Sequence, residues 1–225
     1  VLEVQYLGHS ALFISDGSTR VVVDPFLTGN PKAALAAEQV EADLIVLTHA
    51  HGDHYGDSVT ISRRTGAPIV SNYEIVAYAE RQGAKGVGMN LGGTYRFAGG
   101  WLKWVPAWHS SSFPDGTYGG LAQGCVLELA GKRLYIAGDT ALFSDMALLS
   151  SYSIDLAVLP IGDHFTMGPE DALKALELVR AKQVLPVHYN TFPPIAQDGV
   201  AFVHRAGLLG VGGAALAPGE RLTLS

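Results

Sequence analysis

His49, His51, Asp53 and His54 fall within six residues, directly after the apolar run Asp43-Leu-Ile-Val-Leu47. In an extended segment, side chains two apart leave the same side, so His49 and His51 can reach one ion together. Gly52 lets the backbone turn and aim Asp53 and His54 at a second point nearby. A lone histidine is ordinarily core or surface. Three of them with an aspartate, packed this closely behind a buried strand, point instead to metal ligation. Imidazole and carboxylate together suit Zn, Mn or Fe.

The packet needs elements to hold it. Residues 43–47 read as a buried strand. Strands are also expected over 1–7, 11–15 and 20–24, with a turn at Asp16-Gly17-Ser18 and a stop at Pro25. Alanine-rich 31–39 reads as a short helix, 56–65 as a helix, 67–71 as a strand, and 73–82 as a helix closed by Gly83. Residues 96–107 alternate enough for strands, with Trp101, Trp104 and Trp108 as packing residues. Residues 110–120 are a loop by composition. Residues 124–130 and 133–137 form a hairpin around Gly131. A helix over 169–179 has Pro169 in its first turn and Glu170 and Asp171 near its N-terminus. Residues 196–206 are the last helix.

The second half echoes the first. Asp155-Leu-Ala-Val-Leu159 repeats Asp43-Leu-Ile-Val-Leu47, Arg133-Leu-Tyr-Ile136 repeats Arg20-Val-Val-Val23, and the strand before His188 matches that at 68–71. Each half reads hairpin, strand, helix, strand. Two such halves would each make a mixed sheet with helices on one face and bury their apolar inner faces together. The expected fold is α/β, a four-layered αββα sandwich. One domain over 1–225 is expected, built from halves at about 1–95 and 96–225.

Further candidate ligands follow other strands: His109 after 103–107, Asp139 after 133–137, and His188 after 184–187. Loops past strand ends converge on clefts. Six or seven such groups are too many for one tetrahedral ion and suit two. Zinc is the first expectation, with manganese, iron and nickel as alternatives. Metal lowers the pKa of water from about 15.7 to about 7, and two ions about 3.5–4 Å apart can share a hydroxide and polarise a C=O or P=O. Asp53 and Asp139, as carboxylates, could orient that hydroxide. The chemistry is hydrolysis.

Of 225 residues, 48% are hydrophobic and 16% charged, which sets the chain among globular proteins rather than disordered ones. A net charge of −6 argues against a nucleic-acid partner. The single cysteine, Cys125, excludes an intrachain disulfide and reads as a small buried hydrophobe. No apolar run is long enough to span a bilayer. Val1-Leu-Glu-Val-Gln-Tyr6 lacks a basic region followed by an apolar stretch, so cytoplasm is the expected compartment.

The pattern His-x-His-x-Asp-His, with the downstream His109, Asp139 and His188, resembles that of the metallo-β-lactamase superfamily across nearly the whole chain. Tyr6-Leu-Gly-His-Ser10, Gly138-Asp-Thr140 and Phe165-Thr-Met-Gly-Pro-Glu-Asp171 look like a subgroup of small bacterial metal-dependent hydrolases related to ascorbate-6-phosphate lactonase. The resemblance implies that His49, His51 and His109 hold one metal, Asp53, His54 and His188 the second, and that Asp139 bridges. It also implies that Asp24 supports a ligand histidine. The bland alternative for Asp24 is strand termination.

His164, in Ile161-Gly-Asp-His164, is placed at the cleft by the echo. It reads as a substrate contact or leaving-group acid, against a hydrogen bond supporting a ligand. Asp163 reads as a turn cap, against a role in orienting a ligand, and His9 as a supporting or substrate-facing group. His204 reads as surface, residues 110–112 as polar loop, and Tyr189 and Asn190 as substrate contacts or a turn. The leading expectation is a metal-dependent hydrolase using a metal-bridging hydroxide on a small ester, lactone or phosphate-bearing substrate. A phosphodiesterase or nucleic-acid-processing enzyme on the same core, a non-catalytic metal-binding protein, and a diiron oxidoreductase (without a flavin-binding domain) are the alternatives. A small-molecule partner is expected, and a homo-oligomer is left open.

Overall fold

Short turns favour antiparallel neighbours, whereas parallel neighbours need long crossovers, and this chain uses both in each half. The computed structural model describes residues 1–225. Its first sheet opens with the antiparallel strands β1 (Leu2–Gly8), β2 (Ala11–Ser15) and β3 (Arg20–Val23). β4 (Leu44–Val46), β5 (Ile69–Asn72) and β6 (Gly86–Met89) then add in parallel. Helices α1 (Gly52–Tyr55), α2 (Ser58–Thr65) and α3 (Tyr73–Glu80) lie in their connections. The second sheet has antiparallel β7 (Thr94–Phe97), β8 (Gly100–Pro106), β9 (Gln123–Leu129) and β10 (Lys132–Ile136). β11 (Leu156–Pro160), β12 (Gln183–Val187) and β13 (Gly212–Gly213) follow in parallel, with α4 (Pro169–Val179) and α5 (Gly199–Leu208) as crossovers. The last strand, β14 (Arg221–Leu224), returns to the first sheet and pairs antiparallel with β1. The orders are β14-β1-β2-β3-β4-β5-β6 and β13-β12-β11-β10-β9-β8-β7, seven strands in each sheet.

Alternation along the strands builds the layers. Leu44 and Val46 of β4 enter an apolar core shared with Leu156 and Val158 of β11, between the sheets. Ile45 and Leu47 point the other way, against Ile61 of α2 and Ile75 and Val76 of α3. Ala157 and Leu159 pack in the same sense against α4 and α5, through Leu173, Leu176 and Phe202. Three apolar cores separate four layers, which is the αββα sandwich. Cys125 lies fully buried between the sheets, the small hydrophobe expected of it.

The sequence echo has a structural counterpart. Arg20 N–H donates to Asp43 Oδ2 at 2.8 Å, while Asp43 N–H donates back to Arg20 O at 2.8 Å. Arg133 N–H donates to Asp155 Oδ2 at 2.9 Å, and Asp155 N–H to Arg133 O at 2.8 Å. In each half this reciprocal pair locks the start of a central parallel strand to its neighbour.

Several expectations need correction. Residues 31–39 form no α-helix, only a single 3-10 turn at Ala37–Gln39. The preceding N–H groups go elsewhere, Lys32 and Ala33 to Asn30 and Ala34 to Leu7 O. The helix expected over 56–65 is α2, which begins at Ser58, and a short helix not expected, α1, precedes it and is closed at Gly56. The last helix begins at Gly199 rather than 196, because Asp198 caps it by accepting from Ala201 N–H. Trp104 is fully buried, but Trp108 is 67% exposed because it lies beyond the end of β8. β6, β13 and β14 have no counterpart among the expected elements.

Candidate metal centre

The sheets place their loops so that seven donors meet. His49 and His51 leave the end of β4, and Asp53 and His54 ride on the short α1. His109, Asp139 and His188 follow β8, β10 and β12. Two adjacent clusters result, one of them joined by His9. In His49, His51, His109 and Asp139 the donor atoms all lie within 4.8 Å of one another, as they do in His9, Asp53, His54 and His188. Asp139 Oδ2 lies 3.1 Å from Nε2 of His54 and of His188, 3.5 Å from that of His109 and 3.6 Å from that of His49. His51 Nδ1 is 3.1 Å from His49 Nε2. The pocket above them has a volume of about 280 Å³.

Partners behind the ligands fix which nitrogen faces the pocket. An ionised carboxylate only accepts, so Thr48 Oγ1–H donates to Asp24 Oδ2 at 2.6 Å. With its one proton committed, Thr48 Oγ1 accepts from His49 Nδ1–H at 2.9 Å, leaving His49 Nε2 as the lone pair. Asp24 Oδ2 also accepts from His54 Nδ1–H at 2.7 Å, leaving His54 Nε2 free. Asp24 thus holds His54, a candidate ligand, from behind. On the other side, His9 Nε2–H donates to Asp53 Oδ2 at 2.8 Å, and its Nδ1 accepts from Thr191 Oγ1–H at 2.7 Å. His9, Asp24 and His188 all have left-handed backbones, with φ of 58°, 42° and 55°. Such conformations cost about 1–3 kcal/mol each and gather at functional sites.

The residues fit a cation on the chemistry alone. His54 Nε2, Asp139 Oδ1 and His188 Nδ1 are buried without a hydrogen-bond partner, where orphaned polar atoms are costly. The nitrogen and oxygen donors form a set suited to zinc, manganese or iron. Burial opposes charge on every group. In His49, His51 and His109 it prevails and holds them below the ordinary histidine range. In His54 burial is outweighed by Asp139, Asp53 and Asp24, which hold the imidazolium well above that range. Against burial, Asp139 and Asp53 push His188 up to about 9. Burial also opposes ionisation of Asp53 and Asp139, but the imidazoles beside them, His54 foremost for Asp53 and His188 for Asp139, hold both far below the usual carboxylate range. The cleft favours ionised carboxylates with positive charge beside them, a balance that a bound cation would provide.

The remaining candidates lie further out. His164 is exposed, at φ 55°, and its ring meets that of Phe165 edge-on at 4.5 Å. Phe165 lines the metal pocket and His164 does not. Asp163 turns the chain, its carbonyl accepting from Phe165 and Thr166 N–H. Asn190 also turns the chain, accepting from Gln197 N–H through Oδ1. His204 is exposed on α5, as expected. Sequence reasoning missed Thr48, Thr191 and Phe165. Thr48 and Phe165 sit beside histidines that were singled out, which was the one available signal.

A family model described as the Beta-lactamase superfamily domain matches residues 19–189. Together with the layered fold and its histidine–aspartate clusters, this places the chain in the metallo-β-lactamase superfamily, to which it belongs. It is 69% identical over 224 residues to a UPF0173 metal-dependent hydrolase of Thermus thermophilus, with 100% of both chains covered. A UPF0173 metal-dependent hydrolase of Thermococcus kodakarensis is 50% identical over 212 residues, 92% of this chain and 93% of that one. The chain belongs with these UPF0173 proteins and is a metal-dependent hydrolase. Among solved structures, Igni18, a metallo hydrolase from the hyperthermophilic archaeon Ignicoccus hospitalis, matches with a TM-score of 0.91 at 37% identity, covering 100% of this chain and 98% of that one. The isothiocyanate hydrolase from Delia radicum gut bacteria shares the fold, with a TM-score of 0.76 at 19% identity over 99% of each chain. No helix is long and apolar enough to cross a membrane.

Proposed function

We propose that this hydrolase cleaves a small ester, lactone or phosphate-bearing molecule at a centre of two divalent ions, zinc first among the candidates. His49, His51 and His109 hold one ion, Asp53, His54 and His188 the other, and Asp139 reaches both. The observation that carries the reading is Asp139 Oδ2, which stands 3.1–3.6 Å from Nε2 atoms drawn from both sets. When bound, the ions supply a water acidic enough to act as nucleophile near neutral pH and an electrophile for the substrate's C=O or P=O. The chain supplies the rest. Asp53 is 31% exposed to the pocket and orients the attacking water, while His9 holds its Oδ2 from behind. Asp139, only 3% exposed, keeps its position because the imidazoles around it favour its charge. His164 acts from the rim, as a substrate contact or as the acid that protonates the leaving group. The net charge of −6 supports a small-molecule substrate over nucleic acid, and the cytoplasm is the compartment proposed.

Metal analysis of purified protein is expected to give two ions per chain, and the protein is expected to turn over p-nitrophenyl esters, lactones or bis-p-nitrophenyl phosphate. His51→Ala and Asp139→Ala should each abolish turnover and reduce metal content, whereas His164→Ala should lower turnover with metal retained. Full turnover in either of the first two variants would sink the assignment.

A further inference from the structure

The seven residues that line the metal pocket are His51, Asp53, His109, Ser110, Asp139, Phe165 and His188, with no lysine or arginine among them. Phosphate groups are ordinarily met by such cations, as point charges or as bidentate forks, in addition to any metal. Here the one side chain in the lining that is neither ligand nor hydroxyl is a phenyl ring. It is 57% exposed, and it stands in the lining of the pocket.

Phe165 is held there by its backbone. Asp163 and His164 both take left-handed conformations, with φ of 58° and 55°. Phe165 N–H and Thr166 N–H both donate to Asp163 O, and Asp163 N–H donates to Met167 O, which closes the turn. Met167 N–H donates to Thr140 O at 3.0 Å, tying the turn to the residue after Asp139. The edge-on His164 ring then braces Phe165. Two consecutive residues in a costly conformation, anchored beside a metal ligand, make a rigid mount rather than a loose loop. Two more exposed aromatics come from the same loop cluster. Trp108, next to His109, is tied by its N–H to Thr140 Oγ1, and Phe192, 37% exposed, meets the His9 ring edge-on at 5.6 Å. Of the three, Phe165 alone lines the pocket, where an exposed ring offers a ligand an apolar contact.

We infer that the site takes an uncharged ester or lactone whose apolar portion seats against Phe165, in preference to a phosphate-bearing substrate. This rests on the hydrolase reading above and narrows its substrate class. Phe165 sets specificity through contact with the part of the substrate remote from the scissile bond.

The test uses the full-length zinc-loaded protein. Acetohydroxamic acid, hexanohydroxamic acid and inorganic phosphate are titrated calorimetrically, and p-nitrophenyl acetate, hexanoate and phosphate are assayed in parallel. Four added methylenes, partly buried, should tighten hydroxamate binding about tenfold, with a matching gain in kcat/KM for hexanoate over acetate and with phosphate poorest in both series. Phe165→Ala should erase the chain-length preference with zinc content unchanged, and Phe165→Leu should restore most of it. Equal affinity for the two hydroxamates, tighter binding of phosphate, or a preference that survives in Phe165→Ala would overturn the inference. Absence of turnover with every substrate, alongside a hydroxamate preference that Phe165→Ala abolishes, would remove the hydrolase reading and leave the apolar subsite standing.

Discussion

Asp24 serves both ends of the histidine packet. One carboxylate accepts from Thr48 N–H at 2.9 Å, from the Thr48 hydroxyl, and from His54 Nδ1–H. Through Thr48 it also sets the tautomer of His49. Asp24→Ala should therefore loosen ligands of both proposed ions. Losing such a supporting partner typically costs 10–100-fold in metal affinity or activity. Competition against a chromogenic chelator is expected to show about that loss, and unchanged affinity would refute the supporting role. The convergence of the seven candidate ligands was legible in the sequence because metal chemistry restricts residue type and spacing together. Asp24 was half legible, since an aspartate before a proline at a strand end also reads as termination. Phe165 and the direction of His164 were not legible. Both depend on two successive left-handed residues, and nothing in Asp163-His164 distinguishes that turn from others.

The candidate ligands are aimed by short elements whose boundaries rest on single residues. Gly56 parts α1 from α2 at φ 43°, and a Cβ there would collide with Pro25 O and lie 2.7 Å from Phe26 Cα. Both obstacles are backbone atoms that cannot swing aside. Gly56→Ala is expected to cost about 2–3 kcal/mol, which for a chain of this size lowers Tm by roughly 5–10 °C in a thermal melt. A variant that melts with the parent would show that this turn can adjust. Asp155 gives a charge-based counterpart. Burial opposes its charge, but Lys182 and the Arg133 N–H hold its carboxyl below the usual range. A depressed folded value stabilises above the unfolded pKa of about 3.9, and that contribution is lost as pH falls through the folded value. Asp155→Asn keeps an acceptor for Arg133 N–H and removes only the charge. It should cost about 1 kcal/mol at pH 7 in urea unfolding and converge on the parent as pH drops below 3.9. At this scale the central strands were legible from the echo of Asp43–Leu47 in Asp155–Leu159 and of Arg20–Val23 in Arg133–Ile136, but the hydrogen-bonded clamp that joins them was not, since it depends on which strands become neighbours. β6 was missed because Gly86-Val-Gly-Met89 lacks strand-like composition. A Cβ at Gly86 would strike Val76 of α3, so packing chose glycine against propensity.

Across the molecule, the sandwich makes each sheet contribute candidate ligands that neither could assemble alone. Asp53, His54, His49 and His51 belong to the first sheet's loops, and His109, Asp139 and His188 to the second's. β14 adds a second bond between the halves, since the chain leaves the second sheet to pair with β1 and buries Leu224 beside Leu2 and Val4 between the sheets. A cation that binds across the cleft favours only the state in which both sheets present their donors. It stabilises that state by RT ln(1 + [L]/Kd), about 2.7 kcal/mol at a hundredfold excess over Kd. For a chain of 225 residues this should raise Tm by roughly 5–10 °C on adding zinc to chelator-treated protein. Asp139→Ala, which removes the one carboxylate in reach of both sets, should shrink the zinc-dependent rise well below that of the parent, whatever its own starting Tm. A parent Tm indifferent to zinc, manganese and iron, each added in excess after chelation, would mean that the two sheets meet without a shared ion.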